Sequence, residues 1–128
     1  MKTLVTAAGL LGMVLHVALA FAAEVPFNKT QFDAAKAAGK PIAVVFHADW
    51  CPTCRAQAPL LKALSQRPEF SPLTLYVANY DEETELKKSL GVTKQSTLIV
   101  FKQGREAGRS TGDTDEESLA ALLRRAIF

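Results

Sequence analysis

The chain has 128 residues, 48% of them hydrophobic and 22% charged, which suits one compact globular domain rather than two. A formal net charge of +2 is too small to argue for nucleic acid or an acidic membrane surface as a partner. No internal repeat, low-complexity segment or run of like charge interrupts it.

At the N-terminus, Lys2 precedes an uncharged stretch from Thr3 to Ala23 that is rich in Leu, Val and Ala, with Ala18, Ala20, Ala22 and Ala23 near its end. A basic start, an apolar centre and an A-x-A-like finish predict a secretory signal peptide over residues 1–22. Cleavage is expected after Ala20-Phe21-Ala22, with Ala18-Leu19-Ala20 as the alternative, leaving a domain of residues 23–128. The competing expectation is an uncleaved anchor facing the periplasm, since the stretch approaches the ~20 residues that span a bilayer. No cysteine lies near the leader's end, which excludes a lipoprotein anchor. The leader has bacterial character, so export points to the periplasm, an oxidising compartment where a cysteine pair can persist as a disulfide.

In the domain, Asn28 is placed to cap a helix, with Gln31 three residues on and Phe27 and Phe32 at the staple positions. Gly39 is a natural stop for it. Pro41 then opens an apolar run, Ile42 to Ala48, that reads as the central buried strand. Ala48-Asp49-Trp50-Cys51-Pro52-Thr53-Cys54-Arg55 follows, and Ala58, Leu60, Leu61 and Leu64 continue as one face of a helix containing Pro59. Cys51 therefore falls where a strand ends and a helix begins. Free N–H groups and the positive end of the helix dipole favour a thiolate there. Cys54, one turn on, can close a disulfide or resolve a mixed one.

The bland alternative for this pair is two buried or structurally paired cysteines with no chemistry, which the strand–CxxC–helix context disfavours; another is half a zinc site. It fails because zinc normally takes four ligands, no third Cys exists, and the two histidines are His16 in the leader and His47. Haem attachment fails because Arg55, not His, follows the second Cys. Beyond the helix, Pro68 and Pro72 bracket a loop, and Leu73 to Ala78 reads as the next strand. Asp81 is expected to cap a short helix carrying Leu86 and Leu90, which Gly91 ends. Thr97 to Phe101 reads as a strand, Lys102-Gln103-Gly104-Arg105 as a hairpin turn, and Glu106 to Thr111 as an edge strand. Thr114-Asp115-Glu116-Glu117 is a capping-box sequence ahead of Leu119, Leu122, Leu123 and Ile127.

Ala-Asp-Trp-Cys-Pro-Thr-Cys at a helix start, the proline five residues later and the order βαβαββα resemble the thioredoxin superfamily over nearly the whole chain after the leader. The resemblance implies an α/β fold with a central mixed sheet flanked by helices. It also implies a redox-active Cys51–Cys54 disulfide, with Trp50, Pro52, Thr53, His47 and Ser96 as neighbours. A further βα unit before the central strand is less certain, Glu24 to Phe27 being short.

Three positions depart from the family. Ser96 aligns with its cis-proline, and a trans Gln95–Ser96 bond is expected, because a non-proline cis bond costs ~2.5–4 kcal/mol. That would alter the backbone surface offered to an extended substrate. Val45 and Val77 align with a buried acid and its lysine partner, which leaves proton transfer at Cys54 to water or another group. His47 shares the strand face of Val45 and Asp49, and its ordinary pKa near ~6.5 suits that work. Trp50 is read as a packing platform.

The expected activity is a cell-envelope thiol–disulfide oxidoreductase that reduces protein disulfides. Cys51 would attack as the exposed sulfur, and Cys54 would resolve. It needs no metal or organic cofactor. Its partners would be disulfide-bonded or dithiol client proteins and a membrane thiol reductase as electron donor, with the protein a monomer. Alternatives are a disulfide-donating oxidase, a Cu(I)-binding protein using both thiolates with His47, or a redox-inert binding module.

Overall fold

The computed structural model describes residues 12–16, 18 and 20–128, so most of the leader, and with it the signal-peptide expectation, lies outside the described residues. Strand β1 (Ala23–Pro26) enters first, followed by helix α1 (Lys29–Ala37), strand β2 (Ile42–His47) and helix α2 (Pro52–Ser65). Strand β3 (Thr74–Asn79), helix α3 (Thr84–Leu90), strands β4 (Thr97–Lys102) and β5 (Arg105–Thr111) and helix α4 (Glu116–Arg124) complete the chain. The sheet order is β1-β3-β2-β4-β5, parallel from β1 to β2 and antiparallel from β2 to β5. It is the mixed α/β sheet expected, and the short first strand is present.

Strand β2 alternates between two cores. Ile42, Val44 and Phe46 pack with Tyr76, Ile99 and Phe101 beneath Phe32 of α1 and Leu86 of α3. Ala43 and Val45 pack on the other face with Leu75, Leu98 and Val100, under Leu61 and Leu64 of α2 and Leu119 and Leu123 of α4. A strand covered on both sides has no polar face to show, which is why its sequence is an unbroken apolar run.

Local chemistry sets most boundaries. Asn28 Oδ1 accepts the Gln31 backbone N–H at 3.0 Å, and the Phe27 and Phe32 ring centroids lie 5.5 Å apart, closing the staple. Helix α3 stops at Gly91, whose φ of 65° is the left-handed conformation a helix terminus needs. The β4–β5 turn puts Gln103 at φ 52° and Gly104 at φ 78°, the pair of positive values of a tight hairpin.

Three local expectations need correction. Asp81 does not cap α3: Glu83 occupies that position without a side-chain bond, and Asp81 is engaged elsewhere. The α4 cap is Asp115, which accepts the Ser118 N–H at 2.8 Å, one residue later than a Thr114–Glu117 box. The buried stripe of α2 is Cys54, Gln57, Leu61, Leu64 and Ser65, so Ala58 and Leu60 stand at its half-buried margin. Leu64→Ala should therefore lower unfolding free energy by about 2–5 kcal/mol in chemical denaturation, and Leu60→Ala by clearly less.

Candidate active site

Strand β2 ends at His47, and four residues later Cys51 caps α2 in an extended conformation, φ −87° and ψ 116°. Its sulfur accepts the Cys54 N–H at 3.2 Å, one of the donors a helix start leaves unpaired. Pro52 follows at the first helical position, where a missing N–H costs nothing. Thr53 is half-buried, with its methyl beside Gly112.

Both cysteines are free thiols. Cys51 is 7% exposed and Cys54 1%, so the expected attacking sulfur is the more accessible of the two yet mostly covered. The hydrogen bond from the Cys54 thiol holds Cys51 below the ordinary thiol range. Burial opposes this, while the Cys54 N–H and the Ser96 hydroxyl reinforce it. Burial pushes the Cys54 thiol up, and its bond to Cys51 adds to the rise. The pair thus separates into one sulfur disposed to be a thiolate and one disposed to keep its proton.

Ser96 completes the site. It is 1% exposed, with its Oγ 2.8 Å from Cys54 Sγ and 3.7 Å from Cys51 Sγ. Its backbone sits at φ 58°, and no cis peptide bond occurs among the described residues, in line with the trans Gln95–Ser96 bond expected. The Ser96 N–H donates to the Phe46 carbonyl at 2.8 Å, and its carbonyl accepts from the Gly112 N–H at 3.1 Å. Gln57, buried on α2, donates from Nε2 to that same carbonyl at 3.3 Å and to the Asp113 carbonyl at 3.0 Å. Sequence reading passed over Gln57. The available signal was a polar side chain in register with Leu61 and Leu64.

The other neighbours lie further from the chemistry. His47 Nε2 is 2.9 Å from Oδ1 of the exposed Asp49, and no hydrogen bond joins His47 to either sulfur. Trp50 is not a packing platform: it is 59% exposed, with its indole N–H donated to Asp81 Oδ2 at 2.7 Å. Val45 and Val77 are direct partners across β2 and β3, an apolar pair in place of an acid and a lysine. Among the described residues no group of three or more His, Cys, Asp or Glu side chains converges as a metal site.

Removing the Cys54 donor should raise the Cys51 pKa towards its ordinary value and shrink its thiolate fraction at pH 7. Iodoacetamide should then alkylate Cys51 more slowly in Cys54→Ala than in the wild type. Cys54→Ser, which keeps a donor, should fall between them.

A family model described as thioredoxin matches residues 23–125. A thioredoxin of Chlamydia pneumoniae is 35% identical over 98 residues, covering 77% of this chain and 93% of its own. One from Alicyclobacillus acidocaldarius is 33% identical over 101 residues, covering 79% of this chain and 95% of its own. The crystal structure of Trxlp from Edwardsiella tarda superposes with a TM-score of 0.76 at 34% identity, covering 79% of this chain and 98% of that one. The Cys51–Cys54 pair at the start of α2 thus sits in a domain matched almost end to end, and the chain belongs to the thioredoxin family.

Proposed function

We propose that the protein is a thiol–disulfide oxidoreductase of the cell envelope that reduces disulfides in other proteins. The observation that carries this reading is the placement of the two sulfurs at the start of α2: Cys51 Sγ caps the helix and accepts the Cys54 N–H at 3.2 Å, while Cys54 is buried one turn on. The Cys51 thiolate attacks a client disulfide, forming a mixed disulfide and releasing one client thiol. Cys54 then attacks Cys51 Sγ, the mixed bond breaks, and the second client sulfur leaves reduced while Cys51 and Cys54 end oxidised. Another dithiol must restore the pair; a membrane-embedded thiol reductase fits an exported protein. Relatives named thioredoxin support the chemistry. The basic, apolar and small-residue zones of the leader support export and cleavage. Nothing in the mechanism calls for more than one copy of the chain.

Two measurements test it. Equilibration with glutathione, read by Trp50 fluorescence or alkylation, should give a reduction potential near about −270 mV. A value near about −120 mV would make the protein a disulfide donor instead. The double variant Cys51→Ser/Cys54→Ser should lose all activity in cells, and retention of full activity would turn the reading into a binding module.

A further inference from the structure

We propose that the Ser96 hydroxyl is a positioning group that favours the reduced form of the Cys51–Cys54 couple, raising its reduction potential above that of the same site with an apolar side chain; this rests on the oxidoreductase reading above. Among the described residues, the hydroxyl has no hydrogen-bond partner besides the two sulfurs, Cys54 Sγ at 2.8 Å and Cys51 Sγ at 3.7 Å. Ser96 is only 1% exposed, so water is no ready substitute for them. The Phe46 carbonyl, the Gly112 N–H and the Gln57 side chain fix the backbone beneath it, and the hydroxyl is carried into both redox states at the same place.

The two states offer this hydroxyl different partners. In the reduced couple it donates to a thiolate, a charge-assisted bond roughly twice as strong as a neutral one, or accepts from a thiol. Alongside the Cys54 thiol in the case of Cys51, and against burial in the case of Cys54, its bond favours the thiolate of each sulfur. In the disulfide both sulfurs are uncharged, carry no proton and accept only weakly, so a hydroxyl sealed against them loses most of that bond. When glutathione disulfide oxidises the pair, the Cys51–Cys54 bond forms and the glutathione S–S bond breaks. Two glutathione thiols carry away the two electrons and two protons of the dithiol. A bond present only before that exchange holds it back. With Ser96 in place the couple is therefore easier for a donor dithiol to restore, and milder towards clients, than it would be with alanine.

The test is equilibration of wild type, Ser96→Ala and Ser96→Gly with glutathione buffers at pH 7, the reduced fraction being read by alkylation of the free thiols. Strain at a φ of 58° is common to the reduced and oxidised forms and cancels from the equilibrium constant, and glycine is free of it in any case. Both variants should be oxidised more readily. Their equilibrium constants with glutathione should rise about tenfold, which is about 30 mV towards more negative potential. A rise of less than about threefold in either variant, or a fall, overturns the inference. A change in the alanine variant alone overturns it too, because the backbone and not the hydroxyl would then set the potential. A wild-type protein that never equilibrates with glutathione removes the oxidoreductase reading itself, whereas a reversible couple indifferent to both substitutions removes only this inference.

Discussion

Strand β2 is covered on both faces and hydrogen-bonded along both edges, and the place where it must stop determines everything at the site. Its alternating side chains are spent on two cores, so the run ends when the sheet does, at His47. The chain then has to turn and return over the sheet. Helix α2 does so by laying Leu61 and Leu64 on one core. That return brings the unpaired N–H groups of its first turn to the carboxyl end of the strand, the general position of sites in open α/β sheets. The antiparallel register of β4 does the rest. Val45 faces Leu98, so the residue just before β4 arrives beside the end of β2, and the Ser96 N–H closes onto Phe46.

The division of labour between the sulfurs is then a matter of depth. Three residues separate them, about 4.5 Å of rise along the helix. The outer one accepts a backbone N–H and sits at the favourable end of the dipole. The inner one lies in the helix body beneath the sheet end, where water cannot solvate a charge. Each unit of pKa separation is worth about 1.4 kcal/mol between protonation states, so modest differences in burial and donor count suffice to set the order of events.

What could be read in the sequence was whatever neighbouring residues decide. Asn28 and Phe27 with Phe32 announce a helix start, Gly91 a stop, Gln103-Gly104 a hairpin, and Trp50 to Cys54 a reactive helix cap. What local reading missed or left open has a different origin. Asp81 has every property of a cap, but the indole of Trp50, distant in sequence, claims its carboxylate. His47 lies on the strand face assigned to it, yet its ring is taken by the next residue on that face, Asp49. Gln57 looks like a polar interruption until the two loops it ties together are both in place. Strand β1 is four residues long, and only its pairing with β3 makes it a strand.

Ser96 also bears on how freely this site could change. A proline at this position would need φ near −65°, whereas the backbone stands at 58° and its N–H is committed to the Phe46 carbonyl. Substituting it would break that bond and swing the loop away from the Gly112 and Gln57 donors that grip its carbonyl. Exchanging Ser96 for the family's usual proline is therefore not a single step. Serine is part of a lock in which the end of β2, helix α2 and the segment after β5 each hold one tooth, and a proline would require all three to be re-cut together.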